Sequence, residues 1–138
     1  MARVETRGRS RALQALYACD LRGTRELQRV ADLIWDDLAV ASDERTFASN
    51  LLGIVAAHRD ALDEVLADVT TNWRLERIGA IERCVLRLGA AELHAGVTPP
   101  RVVIQEAVRL AERYGSAQSA RFVNGVLDAL ARRMGSLR

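Results

Sequence analysis

The chain has 138 residues, 49% of them apolar, which is enough for one domain with a substantial core and short for two. Only six residues are aromatic, and both prolines lie at Pro99-Pro100, so the composition favours an all-α fold. We therefore expect one domain over residues 1–138, with residues 1–8 flexible. No apolar run approaches the length of a membrane span and the N-terminus lacks a signal-peptide core, which predicts a cytoplasmic protein.

Charge is unevenly distributed along the chain, although the net charge is only +2. Residues 1–31 hold seven Arg against three acids, residues 32–68 hold two Arg against nine acids, and residues 69–138 hold eleven Arg against six acids. This distribution predicts a basic face and an acidic face on one molecule. Such a molecule suits one polyanionic partner and one protein partner.

Apolar residues recur at helical spacing through most of the chain. The first two helices are predicted at about 9–21 and 25–39. Residues 43–70 continue the pattern without Gly-Pro punctuation, so the sequence leaves open whether they form one bent helix or two. Trp73 and Leu75 are predicted to pack beneath the turn that follows.

A central helix is predicted at about 77–94, because its apolar residues fall on nearly every side. A helix with this pattern has to be buried among other helices. Gly96 is expected to end it. The next helix is expected to start with Thr98 as its cap and with Pro99-Pro100 in its first turn.

A polar turn separates the last two predicted helices. The turn begins after Gly115, and Ser119 is predicted to be the N-cap of the new helix. Tyr114 and Phe122 bracket the turn, and Arg121 lies beside the positive end of the helix dipole. This arrangement is suited to single-stranded nucleic acid, whose bases stack on aromatic side chains. The alternative is a simple helix connection with two core aromatics.

The sequence lacks the motifs that mark common catalytic sites, such as GxGxxG, GxxxxGK[ST], GxSxG and HExxH. Cys19 and Cys84 show no metal-ligand spacing and are predicted to be buried free thiols. His58 and His94 lie 36 residues apart without a metal-spaced partner. We therefore expect a helical binding module with no catalytic residue, metal ion or cofactor.

Several short pieces of the chain form a recognisable pattern. The pieces are Arg9-x-x-Ala12-x-Gln14-Ala15-Leu16-Tyr17, Ile81-Glu82-Arg83-x-x-Leu86-Arg87, Glu92-Leu93, Val97 with Pro99, Ile104-x-Glu106-Ala107, and the run from Arg121 to Asp128. In their order and spacing, which make chance agreement improbable, these pieces together resemble the NusB family of bacterial transcription antitermination factors. In the last and most specific piece, Asn124 and Gly125 are interpreted as structural, as a polar cap and a close helix approach.

The resemblance implies a fold of about seven helices, arranged as two packed three-helix subdomains plus an extra helix, without enzyme activity. It implies binding of single-stranded boxA RNA in ribosomal RNA leaders, together with the ribosomal protein NusE. The resemblance also implies the transcription elongation complex as a partner. The sequence leaves open whether the chain forms a homodimer.

The resemblance also implies two groups of RNA-binding residues. The chain departs from the family at Ala117 and Gln118, where members often carry two acids, so the RNA contacts are expected to shift. Glu5 stands where a cation would be expected, which would lower the affinity. The predicted RNA-binding residues are Arg3, Arg7, Arg9, Arg11, Gln14 and Tyr17 near the start, and Tyr114, Gln118, Ser119, Arg121 and Phe122 at the turn before the last helix.

Glu82 in the central helix is the predicted contact for the protein partner. Together with Arg83 and Arg87 it is expected to mark the strip of that helix that reaches solvent. The alternative is that Glu82 is paired inside the protein, with Arg87 or with a neighbouring helix.

Two other functions remain compatible with the sequence. The chain could be a NusB-like fragment of a ribosomal RNA methyltransferase, although the glycine pattern of the cofactor site is missing. It could also be a purely protein-binding adaptor that uses the acidic segment 32–68. RNA binding measured at low and high salt would separate the adaptor from the RNA-binding proteins.

Overall fold

The structure, a computed structural model, describes residues 3–70 and 77–135, and within them the chain forms α-helices and no strand. The all-α prediction is therefore confirmed. Six helices appear in this part of the chain, where about seven were expected. They are α1 (Val4–Arg22), α2 (Leu27–Asp37), α3 (Ser42–Val69), α4 (Ala80–Ala95), α5 (Pro100–Tyr114) and α6 (Ala117–Arg133).

One predicted helix boundary differs from the structure, and the structure answers one question that the sequence left open. Helix α1 begins at Val4, five residues before the predicted start, so that much of the expected loose segment is helical. Residues 42–69 form one continuous helix, which settles the question that the sequence left open. The predicted packing of Trp73 and Leu75 lies outside the described residues.

Packing divides the chain into two compact units, unit 1 (Met1–Ala57) and unit 2 (His58–Arg138). The core of unit 1 is built around Trp35, which is completely buried and whose indole N–H donates to the carbonyl oxygen of Arg11 at 3.3 Å. Each large apolar side chain buried in this way contributes about 1.5–3 kcal/mol of stability. The other core residues are Ala12, Leu13, Ala15, Leu16 and Cys19 of α1, Leu27, Val30 and Ala31 of α2, Val40 between α2 and α3, and Ala48, Leu51, Leu52 and Val55 of α3.

Arg45 closes the C-terminal end of α2 in unit 1. Its guanidinium donates to the carbonyl oxygens of Trp35 (2.7 Å) and Val40 (2.9 Å) and to the carboxylate of Asp36 (2.6 Å). The last carbonyls of a helix have no partner within it, so a cation placed there satisfies them and complements the negative helix end. This contact explains how Asp36 is tolerated at that end of α2.

Helix α4 is the central helix of unit 2, as its sequence predicted. Ten consecutive residues, from Cys84 to Leu93, are buried, and α5 and α6 both pack against the helix. Gly96 ends α4 in the left-handed conformation (φ 70°), which glycine adopts without strain. The N-cap of α5 is Pro99, so the predicted cap at Thr98 is wrong.

Arg87 is buried in unit 2, and the prediction that it marks a solvent-facing strip of α4 is wrong. Its Nε and Nη2 groups donate to the two carboxylate oxygens of Asp63 in α3, at 2.9 and 3.0 Å. A two-bond Arg–carboxylate pair neutralises the buried charge and fixes its geometry. The like-charge repulsion between Arg83 and Arg87 is offset by this pair.

Two glycines allow a matched test of packing in α3 and α4. A Cβ on Gly89 would come within 2.6 Å of a methyl group of Leu127, whereas a Cβ on Gly53 would meet open space. Gly89→Ala should lose about 1 kcal/mol of stability net, because overpacking outweighs the better helix propensity of alanine. Gly53→Ala should gain about 0.5–1 kcal/mol. Urea unfolding of both variants checks this, and an equal gain in both would contradict it.

Candidate nucleic-acid interface

The predicted RNA-binding residues of α1 lie in unit 1, and Arg3, Arg7, Arg9 and Arg11 are here called the arginine cluster. Arg3 precedes the first residue of α1 and is exposed. Arg7 and Arg11 follow on the helix with side-chain exposures of 43% and 29%. Three cations of the cluster therefore reach solvent near the N-terminal end of a helix, where cations are unfavourable.

Glu44 of α3 offsets part of this charge. Its carboxylate accepts from Arg7 Nε at 2.8 Å and from Arg11 Nε at 3.4 Å, one bond to each oxygen. Only 10% of the Glu44 side chain is exposed. Sequence reasoning missed this residue, because nothing in its spacing indicates that it meets α1.

Arg9 differs from the rest of the arginine cluster because it is only 4% exposed. Its guanidinium lies over the ring of Phe47, 5.1 Å from the ring centre. This contact is a cation–π interaction inside unit 1. The placement of Arg9 favours a role in holding α1 against α3 over a direct contact with phosphate.

Gln14 and Tyr17 follow on α1, and both are half-buried. The side-chain oxygen of Gln14 accepts from Arg11 Nη1 at 3.3 Å. Gln14 therefore helps to orient a cation of the cluster. Tyr17 keeps part of its ring at the surface.

The second group of predicted residues lies in unit 2, where Gln118, Ser119 and Phe122 line a cleft of about 360 Å³, here called the α6 cleft. This volume falls at the lower end of the range that small-molecule sites occupy. Phe122 is half-buried, so part of its ring is accessible. The other residues that line the cleft are Arg77, Ile78, Gly79, Glu82 and Ser116.

Ser116 is the N-cap of α6. Its backbone is extended, and its Oγ accepts from the backbone N–H of Ser119 at 3.1 Å. The prediction that Ser119 is the cap is wrong, because Ser119 is the third residue of the helix. The sequence offers a serine at both positions, and the choice depends on where the preceding helix stops.

Glu82 joins the same hydrogen-bonded chain. Ser119 Oγ donates to Glu82 Oε2, and the two serine hydroxyls lie 3.0 Å apart. Since Ser119 gives its single hydroxyl proton to Glu82, Ser116 must donate to Ser119. The carboxylate also lies beside the N-terminal end of α6, where a negative charge is favourable. This placement favours the alternative that Glu82 is paired inside the protein, with a neighbouring helix.

Tyr114 and Arg121 lie close in the sequence to residues that line the α6 cleft, but they do not line it themselves. Tyr114 is the last residue of α5, and the guanidinium of Arg113 lies over its ring at 5.4 Å. Arg121 is exposed on the first turns of α6. Gly125 is exposed, with open space where a Cβ would be, so its interpretation as a close helix approach is wrong.

The two cysteines and the two histidines all lie in the described part of the chain. Cys19 and Cys84 are buried free thiols, as predicted. His58 and His94 contact each other with their ring centres 4.5 Å apart. Residues 3–70 and 77–135 contain no group of three His, Cys, Asp or Glu side chains placed to hold a metal ion. In the same part of the chain, no helix is both long and apolar enough to cross a membrane.

Comparison with known proteins identifies the family to which this chain belongs. The model of the NusB family matches residues 6–132. This chain belongs to the NusB family. The sequence is 43% identical to the transcription antitermination protein NusB of Sorangium cellulosum over 129 residues, which covers 93% of this chain and 91% of the relative. It is 40% identical to the protein of the same name from Nitratiruptor sp., over 90% of this chain and 88% of the relative.

Solved structures of the family agree with the fold. A crystal structure of the antitermination factors NusB and NusE in complex with dsRNA has a TM-score of 0.87 at 28% identity, covering 96% of this chain and 99% of the matched chain. The solution structure of NusB from Aquifex aeolicus has a TM-score of 0.85 at 28% identity, covering 99% and 94% of the two chains. The resemblance to the NusB family is thereby confirmed.

The capping assignment can be tested at Ser116. Ser116→Ala should lower the free energy of unfolding by about 1 kcal/mol, because the amide of Ser119 loses its partner. Ser116→Asp should retain most of the stability, since aspartate caps helices equally well. Chemical denaturation measures both. A neutral Ser116→Ala, or an Asp variant that is no better than Ala, would show that the cap contributes nothing.

Proposed function

We propose that this chain is a transcription antitermination factor that binds boxA-type single-stranded RNA of ribosomal RNA leaders together with the ribosomal protein NusE. The curated relatives carry the name transcription antitermination protein NusB. A close structural neighbour is a complex of NusB with NusE and dsRNA. These names describe antitermination proteins, and we propose the same role, without enzyme activity, for this chain.

The observation that carries the proposal is the α6 cleft of unit 2. An accessible face of Phe122, the amide side chain of Gln118 and the positive end of α6 meet there. Unpaired bases stack on aromatic rings and form hydrogen bonds through their edges, which suits this combination. The carboxylate of Glu82 in the cleft would repel a phosphate. The cleft therefore suits a base, and phosphates suit the arginines that reach solvent, which are Arg121 and, in the arginine cluster, Arg3, Arg7 and Arg11.

RNA binding is tested with a short boxA-type single strand at increasing salt. The affinity should fall with a log-log slope of about −0.7 for each phosphate contact. Arg121→Ala should make the slope shallower by roughly one such contact. The matched control is Arg109→Ala, which removes an exposed cation from α5 in the same unit. A salt-independent affinity, or equal binding of duplex DNA, would contradict the proposal.

Stacking on Phe122 has its own test. Phe122→Ala should weaken RNA binding by roughly 1–3 kcal/mol if a base stacks on the ring. Phe122→Leu keeps an apolar side chain that can fill the buried half of the site. If Leu restores the melting temperature but not the RNA affinity, the ring acts on the base. If Leu restores both, Phe122 serves only the core.

Binding of NusE should be coupled to binding of RNA. We expect NusE to raise the RNA affinity by about fivefold or more, which is the usual scale of such coupling. Thermodynamic linkage requires RNA to raise the NusE affinity by the same factor. A titration of all three components measures both directions. Independent binding would remove the cooperative part of the proposal while leaving RNA binding intact.

A further inference from the structure

The arginine cluster carries an electrostatic cost that its own helix does not relieve. Arg7 and Arg11 lie four residues apart, so their side chains are neighbours on one face of α1 and their charges repel. Arg7 also lies close to the N-terminal end of the helix, where the dipole disfavours a cation. An anion supplied from another helix therefore lowers the energy of these two side chains.

Glu44 supplies that anion in a defined geometry. Each of its oxygens accepts from the Nε of one arginine, at 2.8 Å for Arg7 and 3.4 Å for Arg11. A guanidinium is a planar group with five donors in fixed directions. When a carboxylate holds the Nε edge, the edge formed by the two terminal nitrogens is turned to another side. One buried carboxylate thus helps to orient two guanidinium planes, and for Arg11 it acts together with the side-chain oxygen of Gln14.

The segment of α3 that carries Glu44 also fixes the backbone of α1. Phe47 lies one turn after Glu44 and meets Gly8 so closely that a Cβ on Gly8 would collide with its ring. The same ring lies under the guanidinium of Arg9. A single turn of α3 therefore sets both the position of the α1 backbone and the direction of its cations.

We propose that Glu44 is a positioning residue for RNA, which holds Arg7 and Arg11 so that they bind phosphates of one RNA strand. This inference rests on the proposed RNA binding. Arginine side chains lose considerable freedom when they are immobilised at an interface, and an arginine that is already held loses less on binding. The carboxylate increases RNA affinity through this ordering, even though its own charge repels the phosphates.

Removing the negative charge of Glu44 and losing its positioning of the arginines should change RNA affinity in opposite directions, which makes the inference testable. Glu44→Gln removes a negative charge near the cluster, so electrostatics alone predicts tighter RNA binding and an unchanged or steeper salt slope. Loss of positioning predicts RNA binding weaker by about two- to tenfold for each side chain that must now be ordered on binding. It also predicts a salt slope shallower by about 0.7 for each phosphate contact that is lost.

The matched control is Asp37→Asn, which removes one negative charge from an exposed position at the end of α2 in the same unit. This variant should bind RNA with unchanged or slightly higher affinity. Circular dichroism and thermal melting show whether both variants keep the helical fold. If Glu44→Gln binds as tightly as Asp37→Asn, or more tightly, the inference is overturned.

A second pair of variants keeps the test valid if Glu44→Gln does not fold. Arg7→Lys and Arg11→Lys retain the charge but lose the Nε–H group and the planar fork. Both lysine variants should weaken RNA binding by a factor similar to that expected for Glu44→Gln, and both should make the salt slope shallower. Lysine variants that bind RNA as tightly as the wild type would overturn the inference. If the wild-type chain shows no salt-dependent RNA binding, the proposed function itself has failed. If the wild type binds RNA and the variants match it, only the role of Glu44 is wrong.

Discussion

The burial of α4 is the constraint on which unit 2 depends. Its apolar side chains point in nearly every direction, so the helix is stable only when other helices cover it on most sides. Once α5 and α6 pack against it, the few polar groups of α4 must find partners within the unit. Arg87 meets Asp63, and Glu82 meets Ser119. The α6 cleft takes its shape from this second contact, because a carboxylate of the central helix is anchored at the start of α6.

The fold class and most helices could be predicted from the sequence, because helical periodicity and the lack of strand punctuation are local signals. The central position of α4 was also predictable from its apolar residues. The start of α1 was not, since Gly8 suggested an unstructured start whereas its lack of a side chain lets Phe47 approach. The continuity of α3 was undecidable, because the residues around Ala57 neither favour nor forbid a break.

The candidate site was predicted less completely than the fold. The exposed arginines and Phe122 could be chosen by residue type and by resemblance to the family, and they stay predictions as RNA contacts. Burial of Arg9 could not be predicted, because it depends on a ring that lies 38 residues away in the sequence. The contacts of Glu44 could not be predicted for the same reason, and the pairing of Glu82 with a neighbouring helix was predicted only as an alternative. The sequence pattern around a glutamate on a helix is the same whether its carboxylate faces water or a cation on another helix.

The two buried thiols allow local unfolding to be measured separately in each unit. Cys19 lies in the core of unit 1 and Cys84 in the core of unit 2, and both are shielded from solvent. A shielded thiol reacts with an alkylating reagent only while its surroundings are open, so its reaction rate reports local unfolding. Mass spectrometry of peptides after brief alkylation would give a separate opening rate for each unit. The native protein thus carries two built-in probes of its own dynamics, without any engineered label.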